Sequence, residues 1–367
     1  MRKMRCVTAA LGAVVLFVAT PAMADAHGHP SPTPTPQIRQ VSAAVAAPFN
    51  LEIGRNRTLV ADGGLNLVGK VAKDGSITPL AANQPGASGV ALSSNGKTMA
   101  FATTETEPST FENTASGLNI WGPRGSRKYV DTLAYEVANN PDQVINYGVT
   151  NPSECVSQAF AAAEIPVSYP GGVDSHAYSV AAQRDGWIVA DAGANVLWHV
   201  DRKGNLSTFA VMPPEPLLFT AAQADALGLP ACVVGVTYNF ESVPTDVEVG
   251  SDGKIYVTTL PGGPESPVLG ARGSVYRLNA NGKNVKKVAT GFLGATNLAL
   301  GRGGDIYVAE LFAGKISVVH KGKISTFLEL PGVVAVETSG TSVWAATMGD
   351  EESHSPGTIV EVTVPHK

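Results

Sequence analysis

The sequence predicts an all-β protein, a six-bladed β-propeller built from four-stranded antiparallel blades. Three observations carry this. A cassette of a Gly turn followed by a β-branched and aromatic run recurs along the chain. Each copy is preceded by a short alternating strand and followed by a hairpin with a strong reversal signal. The composition suits such a fold, with 44% hydrophobic residues, 16% charged residues and 39 Gly among 367 residues. Those values argue against disorder, and Gly without a three-residue period argues against a collagen-like chain.

The strongest copies are Arg184–Asp191, Ser251–Thr258, Arg302–Ala309 and Ser339–Ala346, with weaker ones at Met99–Phe101 and Asn56–Ala61. The strands expected before them are Gly89–Leu92, Tyr178–Ala181, Thr245–Val249, Asn297–Leu300 and Val333–Val336. Reversals at Asp74-Gly75, Lys203-Gly204, Asn281-Gly282 and Lys321-Gly322 complete each unit, and Asp-Gly or Asn-Gly suits a type I′ turn. Radial repetition of such sheets protects their edges, which a two-sheet sandwich would not explain. The last copy ends at Thr358–Val364 and lacks a fourth strand, so Gln37–Val45 is expected to supply it and close the ring.

Equivalent positions Ile188, Ile255, Ile306 and Val343 lie 67, 51 and 37 residues apart. A bare blade takes about 40, so the excess is insertion. The insertions at 131–173, 212–243, 104–117, 260–272 and 348–357 all fall in second-to-third or fourth-to-first connections, which emerge on one face. Function on a repeat scaffold concentrates in such loops. Thr220-Ala-Ala-Gln223 reads as a capping box opening a short helix that Gly228 ends.

Residues 1–24 read as a signal peptide. Arg2, Lys3 and Arg5 precede an uncharged stretch from Val7 to Thr20, and Ala22-Met23-Ala24 supplies the cleavage site. The apolar run is too short to span a bilayer comfortably, and no later stretch is long enough, so no membrane span is expected. Residues 25–37 form a Pro-rich tether and residues 38–367 the propeller, in an exported, secreted protein. Removing the leader takes three of 26 Lys and Arg and none of 31 Asp and Glu, leaving a net charge of −8. That balance excludes a nucleic-acid partner. Cleavage after Ala24 would expose Asp25-Ala26-His27, whose amine, backbone nitrogens and imidazole are a candidate square-planar Cu(II) site.

Cys155 and Cys232 remain after cleavage, in the two longest insertions. An oxidising compartment favours a disulfide between them, with two separate buried thiols as the alternative. Polar residues at strand ends collect around the mouth of the central channel: Asp174, Ser175, His176, Glu241, Thr245, Asp246, Asn297 and Glu310. Of these, Asp174, Asp246, Asn297 and Glu310 carry the hard oxygens that suit Ca²⁺, and His176 is a candidate general base beside it. The plainer alternative is that such groups satisfy turn amides. Trp121, Trp187, Trp198 and Trp344 sit on cassette strands as packing between blades.

Val189-Ala-Asp191 followed by Asn195 and a hairpin resembles the NHL-type repeat. The strings Tyr135–Asp142, Asp174–Tyr178 and Val243–Val247 resemble the ScyD/ScyE family of exported bacterial proteins over about residues 50–364. This resemblance implies the fold and export, and assigns no activity. Six-bladed propellers of the calcium-dependent lactonase kind, which are similar, place a metal at the channel mouth. Two functions follow as expectations. The first is a binding scaffold that takes a small molecule or a protein on its loop-rich face. The second is a Ca-dependent hydrolase or lyase of small organic molecules at the channel mouth.

Overall fold

The computed structural model describes residues 36–363 except 55, 265–266 and 351. The signal peptide at 1–24, the tether through residue 35 and the Asp25–His27 copper candidate lie outside the described residues. The protein is all-β, with seven four-stranded antiparallel sheets and three short α-helices among the described residues.

Strand β1 (Gln37–Val45) opens the order and pairs antiparallel with the last strand, so the first and last described strands share one sheet. The first repeated sheet holds β2 (Pro48–Gly54), β3 (Arg57–Asp62), β4 (Leu67–Val71) and β5 (Ile77–Ala82). The second holds β6 (Gly89–Leu92), β7 (Met99–Thr106), β8 (Asn113–Trp121) and β9 (Arg127–Asp131). The connection from β9 carries α1 (Thr132–Asn139), β10 (Asn146–Gly148), α2 (Glu154–Ala162) and β11 (Ser168–Pro170). The third sheet follows with β12 (Ala177–Gln183), β13 (Gly186–Asp191), β14 (Val196–Asp201) and β15 (Leu206–Val211).

A second long connection carries β16 (Glu215–Leu218), α3 (Ala221–Ala226) and β17 (Thr237–Phe240). The fourth sheet is β18 (Pro244–Val249), β19 (Ile255–Thr259), β20 (Gly273–Leu278) and β21 (Lys286–Phe292). The fifth is β22 (Ala295–Leu300), β23 (Ile306–Glu310), β24 (Lys315–His320) and β25 (Lys323–Glu329). The sixth joins β26 (Val333–Ser339), β27 (Ser342–Thr347) and β28 (Gly357–Thr363) to β1.

Packing follows from strand periodicity. Successive side chains in a strand face opposite ways. In β3, Leu59 and Ala61 therefore join the core shared with the second sheet, while Val60 joins the core shared with the sixth. Sheets buried on both faces need near-continuous apolar runs in their middle strands, and every residue of β13 is buried. Apolar clusters fill each gap between consecutive repeated sheets. The first strands adjoin in one circuit: β2 with β6, then β12, β18, β22, β26 and β2 again. The four Trp side chains lie in or against these cores as expected.

Two local expectations are corrected. The Gly reversals at Gly75, Gly204 and Gly282 have positive φ only at the glycine, not at the residue before it. Each closes a longer loop, as in the paired bonds Ala72 N to Ser76 O and Gly75 N to Ala72 O. That is a type I turn with a left-handed glycine, not type I′. Lys321-Gly322 has positive φ at both residues, as type I′ requires. The insertion expected at 104–117 is mostly a longer hairpin, since β7 and β8 pair out to Thr106 and Asn113.

Candidate functional site

The seventh sheet is made from the two longest connections. Strands β10 and β11 of one pair with β16 and β17 of the other, in the order β11-β10-β17-β16. It has its own core, in which Phe160 of α2 meets Phe219 and Tyr238 with ring centroids 5.9 and 5.4 Å apart. A disulfide joins Cys155 on α2 to Cys232, 77 residues later in sequence. The capping box of Thr220 with Gln223 starts α3 as expected. Beside this sheet lies a 430 Å³ cavity, bordered by the 149–153 loop, Val156, Cys232, Val236, Thr237 and Asn239. Its lining mixes apolar side chains with two amides and hydroxyls, and its volume is in the size range of small-molecule sites.

Acidic residues closing the second strands have a structural task. Asp191 is fully buried and accepts four hydrogen bonds. Its Oδ1 receives the backbone N–H groups of His176 (2.6 Å) and Ala194 (3.1 Å). Its Oδ2 receives Ser175 Oγ (2.6 Å) and Trp198 Nε1 (2.7 Å). Asp62 holds Ala46, Ala47 and Leu65 amides in the same way, and Glu310 holds the Leu293 amide and Ser317 Oγ. A carboxylate here satisfies loop amides that strand pairing leaves over.

The remaining residues expected at the channel mouth are similarly engaged. Asp246 Oδ2 accepts from Leu298 N and Oδ1 from Ser179 Oγ, at 2.9 and 2.5 Å. Asn297 Oδ1 accepts from Val336 N at 2.8 Å, and Asn50 Oδ1 from Val90 N at 3.1 Å. In each case one first strand is tied to the next. Thr245 Oγ1 donates to the Ala295 carbonyl at 2.9 Å, and Asp174 Oδ1 accepts from Asn113 Nδ2 at 3.1 Å. Glu241 is bonded by Tyr169 and Asn195, and burial pushes its carboxyl above the ordinary value. The His176 ring packs against Tyr178 with centroids 5.7 Å apart. Among the described residues no group of three or more His, Cys, Asp or Glu is arranged to hold a metal ion.

Asp246 and Asn297 share one tier of the first strands, as their pairing with Thr258 and Ala309 shows. Two residues further along, the next tier holds Glu52, Ala91, Ala181, Glu248, Ala299 and Glu337. These three glutamates escaped the sequence reading. Burial pushes all three carboxyls up, and Glu337 reaches about 8. Glu248 also feels Glu337, Asp246 and Glu52, so carboxyls from three sheets face one another, and Arg57 offsets Glu52 alone in part. The missed signal was a polar pair at i and i+2 on a first strand: Asn50 with Glu52, Asp246 with Glu248.

No family model matches this sequence, and no curated protein matches it. Solved structures match over most of its length. A PQQ-bound aldose sugar dehydrogenase from Streptomyces coelicolor aligns at TM-score 0.52 and 13% identity, over 90% of this chain and 100% of that one. A luciferin-regenerating enzyme aligns at 0.53 and 11%, over 90% and 95%. A protein described as a putative gluconolactonase aligns at 0.50 and 11%, over 89% and 92%. These neighbours are β-propellers, and at such identities the likeness concerns the fold. No helix among the described residues is long and apolar enough to cross a membrane.

Proposed function

We propose that the chain is an exported six-bladed propeller of the ScyD/ScyE kind that works as a binding protein through its loop-rich face. The circuit of first strands and the β1–β28 pairing support a ring closed by both chain ends. The seventh sheet is then a roof over part of one face. The disulfide supports export, since such bonds persist in oxidising compartments.

The observation that carries the binding reading is the roof cavity. Two insertions far apart in sequence build one sheet, one core and one covalent staple, and a 430 Å³ space of mixed polarity lies against them. Its chemistry suits a small organic molecule with an apolar body and one or two hydrogen-bonding groups. Thermal shift against a panel of such compounds tests this, using wild type and Thr237→Trp, which fills the cavity from an exposed position. Compounds that stabilise wild type lose their effect in the variant. Stabilisers indifferent to Thr237→Trp refute the reading.

A cation-dependent hydrolase or lyase at the channel mouth is the second reading. The carboxyl tier of Glu52, Glu248 and Glu337 below Asp246 favours it, because a cation would relieve that repulsion. A neighbour described as a putative gluconolactonase suggests lactones as the substrate class. Lactone turnover that needs Ca²⁺ and is lost in His176→Ala would establish this reading over the first.

A further inference from the structure

The connection between β9 and β12 holds three buried oxygens with no hydrogen-bond partner: Glu136 Oε1, Asn140 Oδ1 and Asp142 Oδ1. Glu136 and Asp142 are both 0% exposed, so neither oxygen is rescued by bulk solvent. Leaving a buried polar group unpaired costs about 1–3 kcal/mol, and more when it is charged. Three together in seven residues therefore need an explanation.

All three orphans are acceptors, which restricts what could satisfy them to a donor or a cation. Their neighbours are fixed. Glu136 Oε2 already takes the Asp174 and Ser175 amides at 3.0 and 2.6 Å. Asp142 Oδ2 takes Tyr147 OH and Asn195 Nδ2 at 3.1 and 3.2 Å. Asn140 donates its Nδ2 to the Gly171 carbonyl at 3.1 Å and its backbone N–H to Glu136 O at 2.7 Å. Gly171 is the lid on this group, because a Cβ there would fall 2.3 Å from Asp142 Oδ1. With one oxygen of each carboxylate anchored, all three side chains are held against the 171–175 segment: Glu136 by the Asp174 and Ser175 amides, Asn140 by the Gly171 carbonyl, and Asp142 beside Gly171. Glu136 there feels the charges of Asp191 and Asp142.

We propose that Glu136, Asn140 and Asp142 form a binding site for a calcium-sized divalent cation, ligated by two carboxylate oxygens and one amide oxygen. Such hard oxygen donors are the ligands Ca²⁺ selects, with water completing the shell. The site lies in the β9–β12 connection, off the first strands that carry the channel-mouth candidates. Its role is to lock α1 against the segment leading into β12, whose first amides Glu136 and Asp191 hold.

The test uses the mature protein after chelation, with Ca²⁺, Mg²⁺ and Tb³⁺ as probes. Tb³⁺ emission should be sensitised by Tyr147, whose hydroxyl reaches Asp142. The expected result is saturable emission displaced by Ca²⁺ before Mg²⁺, with a Ca²⁺-dependent rise in melting temperature. Glu136→Gln and Asp142→Asn each weaken Ca²⁺ on the order of 100-fold, and Asn140→Asp tightens it about tenfold, because ligand charge sets affinity. Asn140→Asp also keeps the test decisive if a carboxylate variant fails to fold. Emission that survives both carboxylate variants puts the cation elsewhere and overturns the proposal. So does a chelated protein indifferent to Ca²⁺ in which Glu136→Gln raises stability, since a shared proton would then satisfy these oxygens.

Discussion

Replacing Asp191 with Ala separates a structural from a catalytic role for the strand-end carboxylates. The side chain accepts four bonds of 2.6–3.1 Å from fully buried surroundings. Ser175 Oγ can turn instead to Thr132 Oγ1, 2.8 Å away, so three donors are stranded: two backbone N–H groups and the Trp198 indole. Each stranded donor costs about 1–3 kcal/mol, and the relief from no longer burying a carboxylate offsets part of that. The expected net loss is about 4 kcal/mol, at the upper end for a single site. Asp191→Asn keeps one acceptor oxygen and should lose about half as much. Urea unfolding at pH 7, with the exposed Asp185→Ala as control, measures both. A loss below about 1 kcal/mol for Asp191→Ala would refute the reasoning, because the four bonds would then carry little of the fold.

Other expectations follow from the same structure. Opening the Cys155–Cys232 bond frees a 77-residue separation, so loop entropy sets an upper bound of about 4.5 kcal/mol on the loss of stability; denaturant midpoints with and without reductant measure it. For Glu337 the folded carboxyl titrates near 8 against an ordinary 4.5. A raised acid favours the neutral form in the fold, so this group's contribution to stability is full below about pH 4.5 and declines as pH rises toward about 8. Glu337→Gln should flatten that decline in a pH series of melting temperatures, and an unchanged slope would contradict the facing of the Glu52, Glu248 and Glu337 carboxyls. Deleting residues 37–45 leaves the β28 edge unpaired and removes Val45 from the core it shares with Ile359; cooperative unfolding should weaken and self-association appear in sedimentation.

Much of the repeated-sheet architecture was legible because its signals are local. Gly75, Gly204 and Gly282 mark reversals where only glycine takes positive φ cheaply, and the apolar runs between them are long enough to read as strands. The strand at Gln37–Val45 could be paired with Thr358–Val364 by counting alone. The roof was not legible. Strands β10, β11, β16 and β17 are three or four residues long, too short for periodicity, and they pair across two separate insertions. Helices α1 and α2 also went unread, though Asp131 and Ser153 cap them. The polar residues at strand ends could be named from the sequence, yet what a carboxylate there bonds to depends on the neighbouring connection. Glu52, Glu248 and Glu337 become a group only when the packing of successive sheets brings three distant first strands together.

The most direct measurement is a crystallographic fragment screen of the mature protein. The account predicts that fragments of mixed polarity collect in the roof cavity beside Val156, Cys232 and Thr237. Fragments confined to the channel mouth around Asp246 and Asn297, with none under the roof, would contradict it and favour an enzyme.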